Sequence, residues 1–475
     1  MNYVGTARPI HDAKGKATGY TKYAGDLSLP NMAYLCMLHS KIPHGYVKAV
    51  HAEKALALPG VYGVYHCLNT SERKYNRYRS SFDQAYLANE ERAFNQYVRF
   101  VGDKIGAVAA CDQETAEKAA RLVEVEYEEL PFSIGFDDTF AGKNCLDGET
   151  PVRDEYTLEV GKKQESTEGL IEVCSTMELP RLHHATMETH ACIADYDPYI
   201  DMLTVYCPNQ AVHGIRTVLA DFLEMPESHV RVVKATMGGS FGAKQEWFLE
   251  PVTALVAKKL CRPVKLVYSR GEAMTDTIVR GAMRMSTRGY YTPDGEMKKI
   301  YCDVTLDAGA YIGNAGDYVR ALAGKPTRCY RIPYMHYHGQ VISSNSPVSG
   351  AFRSWSAAEE ALMMERQLDA AAEKLGMDRL AIRLKNVARS GEEDKKLHLS
   401  LEDIRIGDAI TLGSEKFGWD KLKAEDAAFN ASQQRYRRGV GIGIGGHGNT
   451  YFPRFNDYGA GSISLNADGS MQANF

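Results

Sequence analysis

The stretch Met237-Gly238-Gly239-Ser240-Phe241-Gly242-Ala243-Lys244-Gln245 constrains this chain more than any other. The apolar run Val230 to Val233 reads as a strand that feeds it, and Glu246 to Leu260 reads as a helix that leaves it. Pro251 predicts an irregular first turn for that helix. A strand joined to a helix through a glycine loop requires a mixed α and β architecture. Small residues let backbone N–H groups approach a ligand, and a helix N-terminus adds a field that favours anions. The loop reads either as a cradle for an anion or cofactor, or as a tight strand-to-helix turn. It is not a Walker A loop, because Ala243 stands where the G-K pair needs glycine and Gln245 where Ser or Thr would bind magnesium.

The 475 residues suggest two to four domains. Residues 1–131 read as a small α+β domain. It holds a turn and strand at Leu58-Pro59-Gly60-Val61, an apolar run Ile105 to Ala110, a helix from Glu114 to Val123 capped by Asp112, and an alternating strand Val123 to Tyr127. Residues 132–168 have poor periodicity and read as a linker over the surface. Residues 169–390 form a second unit, with strands at Met202 to Tyr206 and around Tyr301 to Leu306. Its long helix runs from Ala357 to Gly376, with Ala361, Met364, Leu368, Ala371 and Leu375 on one apolar stripe. Ser356 and Glu359 form a capping-box pattern at its start, and Gly376 suits its stop. Residues 399–475 read as an incomplete third unit. It ends in a hairpin from Ser462 to Leu465, through Asn466-Ala467-Asp468-Gly469, to Met471–Phe475. A strand that breaks off at the chain end is expected of a truncated or split subunit.

A formal net charge of −4 gives no basic excess for nucleic acid. No charged and then apolar N-terminal segment marks a secretory signal, and no stretch of about 18 apolar residues marks a membrane span. The ten cysteines are scattered without a C-x-x-C pair. That pattern argues against a zinc knuckle or an iron–sulfur cluster bound by this chain alone, and suits free thiols in a reducing cytoplasm.

A second constellation is Ser349-Gly350-Ala351-Phe352-Arg353-Ser354-Trp355-Ser356, just before the long helix. Arginine suits an oxyanion and tryptophan suits stacking on a flat ring, or Trp355 packs in a core while Arg353 bridges two loops. Gln210, in Cys207-Pro208-Asn209-Gln210, follows a strand and by itself reads as structural. Gly441-Ile442-Gly443-Ile444-Gly445-Gly446 matches G-x-G-x-x-G, yet Arg438 to Ile444 alternates like a strand and no helix pattern follows. His183, His184 and His190 fit no standard metal spacing and read as core or loop histidines.

Together these segments resemble the molybdenum hydroxylases of the xanthine dehydrogenase and aldehyde oxidase family. The family's G-G-G-F-G-x-K loop is matched by Gly238 to Lys244, its G-A-F-R-G-F-G loop by Gly350 to Ser356, and its S-T-Q strand end by Pro208-Asn209-Gln210. Ala17-Thr18-Gly19, Leu58-Pro59-Gly60-Val61, Val101-Gly102-Asp103, Glu128-Glu129-Leu130-Pro131 and Asp307-Ala308-Gly309-Ala310-Tyr311 follow in family order. The chain departs at Ser354 and Ser356, where glycines are usual, and at Ala358-Glu359, where Pro-Gln is common. Glu359 would be an unwelcome charge near a phosphate.

The resemblance implies an α+β chain: a hammerhead-type domain, a first molybdopterin-binding domain and the truncated start of a second. It implies a molybdenum–molybdopterin cofactor, with the cytosine dinucleotide form expected from bacterial relatives. Gln210 would bond an oxygen ligand of the metal, Gly239, Ser240, Phe241 and Gly242 would cradle the cofactor, and Ala351, Phe352 and Arg353 would line its other side. Gln245, Arg320 and Trp355 fall where relatives contact substrate. The implied reaction hydroxylates a purine or another N-heterocycle with water as oxygen source. The alternatives are an aldehyde or nicotinate-type substrate, or a non-catalytic relic of the same fold. Electrons would leave through a 2Fe-2S subunit and an FAD subunit. Glu188 and Glu246 lie near the motifs, but neither context marks a general base. The family's base glutamate is expected beyond Phe475, in a C-terminal molybdenum domain, so the single chain is expected to be inactive.

Overall fold

The structure is a computed structural model that describes residues 4–78, 89–142, 146, 148, 150–163, 166–432, 435–448 and 459–474. Cys145 and Phe475 lie outside them. The fold is mixed α+β, as expected. Two large sheets organise it. The first has seven strands, in the order Val230–Lys234, Met202–Cys207, Ala191–Asp197, Val264–Val267, Ala33–His39, Lys104–Ala110, Val61–His66. Three of these strands come from the first 131 residues and four from beyond residue 190. The two units expected from the sequence therefore share one sheet, joined where Ala33–Leu35 runs parallel to Val264–Leu266.

The Lys104–Ala110 strand is buried at every position, because strands flank it on both sides and the helix Gln113–Ala120 packs over it. Its small residues leave room for that helix. Asp112 caps the helix as expected, its carboxylate accepting from Thr115 N–H at 2.7 Å.

The second sheet has five strands, in the order Ile171–Leu179, Ala282–Tyr291, Met297–Gly309, Tyr334–Ser343, Val152–Gly161. Its edge strand corrects the linker expected over 132–168. Val152–Gly161 pairs antiparallel with Tyr334–Ser343. Tyr156, Leu158 and Val160 turn inward while Glu155, Thr157 and Glu159 face solvent. Alternating charges on an edge strand hid the period, since only one of its faces needs to be apolar.

The long helix spans Ala357–Leu375 and ends on Gly376 at φ 62°, as expected. It buries Met364, Leu368 and Ala371 against the Ile171–Leu179 and Ala282–Tyr291 strands. The expected capping box is absent. Ser356 sits at φ 65° and its hydroxyl accepts from Lys325 Nζ at 2.8 Å, while Glu359 is taken by Arg280. The helix after the glycine loop starts at Leu249 rather than Glu246. Pro251 thus falls in its first turn, where a missing N–H costs nothing. The 439–445 segment alternates in burial, with Ile442 and Ile444 packed on the second core, but forms no ladder with another described residue. The hairpin forms from Ser462–Leu465 and Met471–Asn474. Among the described residues, no helix is long and apolar enough to cross a membrane.

Candidate active site

Three segments distant in sequence meet at one end of the first sheet. The Met202–Cys207 strand delivers Gln210, the Val230–Lys234 strand leads into the glycine loop, and the Gly350–Ser356 loop precedes the long helix. Gln210 N–H donates to Lys244 O at 2.8 Å, and its Oε1 accepts from Ser240 Oγ. Asn209 fixes this turn by accepting from Ala211 N–H at 2.8 Å and donating to Glu246 O at 2.9 Å.

The glycine loop and the arginine loop pack back to back. Gly242 lies at φ 103°, and a Cβ there would collide with Ala351 O. Arg353 N–H donates across to Phe241 O at 2.7 Å. Gly239 and Phe241 also have positive φ, at 102° and 55°. The amides of Gly239, Ser240, Phe241 and Gly242 donate to no other described residue. Four successive unpartnered N–H groups beside left-handed residues form a nest that suits oxygen or sulfur acceptors of a ligand. Phe241 is 49% exposed, Gln210 is exposed, and the Arg353 side chain is exposed beside them. These residues fit a cofactor with anionic groups: the nest supplies donors, glycines supply room, and the arginine supplies charge.

Trp355 stands half-buried between Tyr78 and Tyr318, with ring centroids 6.4 and 5.4 Å away. Gln245 is half-buried, and its N–H donates to Gly242 O at 3.1 Å. Arg320, expected to orient substrate, is instead held bidentately by Asp154 of the edge strand, at 2.6 and 3.1 Å. A partly buried carboxylate in fork geometry is a strong competitor for a guanidinium.

The structure adds residues that the sequence motifs did not single out. Arg280 lies 4.2 Å from the Phe352 ring, donates to Arg353 O at 2.8 Å and pairs with Glu359. Glu359 also accepts from Tyr318 Oη at 3.0 Å, and Arg280 balances its charge. Lys325 donates to Trp355 O and to Ser356 Oγ. Burial pushes its pKa down to about 7. Glu246 is buried beneath the arginine loop, where Asn314 Nδ2 donates to it at 2.8 Å and the Ala351 amide also bonds it. Burial pushes its pKa up to about 8. Glu188 accepts from Gly238 N–H at 2.7 Å and from Lys244 Nζ at 2.6 Å. Both acids near the motifs are thus engaged by the scaffold.

A family model for the molybdopterin cofactor-binding domain matches residues 149–387. A second, for the a/b hammerhead domain of aldehyde oxidase and xanthine dehydrogenase, matches residues 18–131. The chain is 32% identical over its full length to a probable xanthine dehydrogenase subunit from Bacillus subtilis, of which it spans 62%. It is 30% identical to the nicotinate dehydrogenase large molybdopterin subunit of Eubacterium barkeri, over 80% of this chain and 88% of that one. The aldehyde oxidoreductase of Desulfovibrio gigas shares the fold, with a TM-score of 0.87 at 24% identity over 99% of this chain and 52% of that one. The chain spans about three fifths of the length of its xanthine dehydrogenase relatives. With two family models in sequence order over a fold that brings Gln210, the glycine loop and the arginine loop together, the chain belongs to the xanthine dehydrogenase and aldehyde oxidase family of molybdenum hydroxylases, as a molybdopterin-binding chain.

Proposed function

We propose that this chain forms the cofactor-cradling part of a hydroxylase that oxidises a purine or other N-heterocycle, with water as oxygen source, and passes electrons to 2Fe-2S and FAD partner subunits. The nest of four unpartnered amides at Gly239–Gly242 carries this reading. When bound, a molybdenum–molybdopterin cofactor, in its cytosine dinucleotide form, supplies the two-electron redox chemistry. Gln210, the nest, and the adjoining Ala351–Arg353 backbone with the Arg353 charge would hold it. Trp355 offers a face for a flat ring, and Gln245 lies close enough in sequence to the nest to select among ring substituents.

The carboxylates of the described loops are held by the scaffold, and burial leaves Glu246 with a pKa of about 8 beneath the arginine loop. Glu188, Glu246 and Glu359 are each bonded to the scaffold. In this reading the base comes from a further molybdenum domain, on the same or a separate chain, and the 475 residues alone do not turn over. The enzyme works in the cytoplasm. The relationship to a nicotinate dehydrogenase subunit favours nicotinate as the second substrate candidate.

The test is the enzyme purified with its native partners. Molybdenum and released cytidine monophosphate are expected at about one per chain, and xanthine oxidised in 18O-labelled water is expected to yield labelled product. Labelled product from nicotinate alone would move the substrate to the second candidate. Absence of molybdenum would sink the reading.

A further inference from the structure

The glycine loop's own backbone hydrogen bonds lie at its end, Ala243 N–H to Ser240 O at 2.9 Å and Gln245 N–H to Gly242 O at 3.1 Å. Three of its residues have positive φ, and four successive amides have no partner among the described residues. Such a backbone persists only where its surroundings impose it. Besides Gln210 and the Arg353 amide, those surroundings include one short segment, His184–His190, that no motif of the cofactor site includes.

That segment grips both loops. His184 Nε2 lies 2.8 Å from Ala351 O in the arginine loop. His190 Nε2 lies 3.0 Å from Ala243 O in the glycine loop. Between them, Glu188 binds Gly238 N–H and Lys244 Nζ, the two ends of that loop. The unpartnered amides therefore lie between anchored points at Gly238 and Ala243. The segment is itself fastened from behind. Arg270 Nη2 donates to Thr186 O at 2.6 Å and to Met187 O at 2.9 Å. The His184 ring also stacks on Phe352, with centroids 4.1 Å apart and planes at 25°.

We infer that His184, Glu188 and His190 are positioning residues that set the spacing and shape of the two cofactor loops. This rests on the proposed cofactor function of those loops. A carbonyl oxygen facing Nε2 requires the proton on Nε2, so each ring acts as a neutral N–H donor. Burial supports that state, lowering both pKa values to about 4.

The clasp is testable on the chain without cofactor, by hydrogen exchange at neutral pH. His190→Leu and Glu188→Ala are expected to speed exchange of the bonded amides of 237–245 (Gly238, Ala243, Lys244 and Gln245) about tenfold, and His184→Leu to do the same in 349–356. The Ala357–Leu375 helix is expected to keep its rate. His184→Gln and His190→Gln retain an amide donor and are expected to restore most of the protection. Unchanged loop rates, rates that rise equally in the long helix, or Gln variants no better than Leu would overturn the inference.

The wild-type chain gives a second readout should a variant fail to fold. Side-chain 15N shifts are expected to show both rings as neutral Nε2–H tautomers at pH 6, whereas the other tautomer or titration near 6.5 would overturn it. In the assembled enzyme, molybdenum content is expected to fall in the Leu variants and recover in the Gln variants. A wild-type enzyme without molybdenum would remove the proposed function and leave the exchange result standing on its own.

Discussion

At the residue scale, the cost of a side chain depends on what it meets. Gly242→Ala puts a Cβ into Ala351 O at φ 103°, so the loops must separate. Gly239→Ala, at φ 102°, meets nothing nearer than 3.6 Å and carries backbone strain alone. Gly242→Ala is expected to cost about 3 kcal/mol or more and Gly239→Ala about 1 kcal/mol, in urea denaturation. Ser354 is the reverse case. It holds φ 89° with its hydroxyl buried and unbonded. Ser354→Gly is expected to stabilise the chain by about 1 kcal/mol. The histidines add a pH dependence. Their ordinary value is 6.5 and their folded value is about 4, so the unfolded chain takes up protons first as pH falls. Their contribution is present above pH 6.5 and is lost as pH falls toward 4, up to about 3 kcal/mol per ring. His190→Gln is expected to flatten that fall in urea midpoints measured between pH 7 and 4.5, and an unchanged slope would contradict it. The glycines and Arg353 were legible because family motifs are local strings. His184 and His190 were not, because their partners lie 167 and 53 residues away and a buried N–H donor leaves no local pattern.

At the element scale, sequence signals held where the chain's own backbone decides and failed where another element competes. Gly376 ends the long helix because a left-handed residue is a local requirement. Ser356 and Glu359 have capping-box spacing, yet Lys325 and Arg280 claim their side chains. The Val152–Gly161 strand was hidden because its charges are satisfied across the sheet and at its edge, Asp154 by Arg320 and Arg153 by Glu90 at 2.6 Å. Arg280 is where element packing carries most electrostatic weight. It sits between the Ala282–Tyr291 strand and the long helix, with Glu359 only 1% exposed. Arg280→Met leaves that carboxylate buried without its cation. A loss of about 3–5 kcal/mol is expected from chemical denaturation, with partial recovery in the Arg280→Met, Glu359→Gln double variant.

At the scale of the whole molecule, the two units that follow each other in sequence share a sheet and a buried charge network. Glu91 is 1% exposed and accepts from Arg77 Nε at 2.6 Å and Lys104 Nζ at 2.7 Å. Lys104 also lies 3.7 Å from Asp276, which ends the Arg270–Asp276 helix behind the His184–His190 segment. On the other side, Trp247, three residues after Lys244, donates its indole N–H to Asn76 O at 2.6 Å. The neighbouring cations hold the Glu91 and Asp276 carboxyls below their usual range despite burial. Glu91→Gln would leave Arg77 and Lys104 as buried cations sharing one fewer anion. A cost of about 3–5 kcal/mol is expected. Because the network touches both units, exchange should quicken together in the Lys104–Ala110 strand and in 237–245, well inside the second unit. If only the Lys104–Ala110 strand responded, the network would be private to the first unit, and the shared sheet would couple the two units less tightly than its continuous ladder implies.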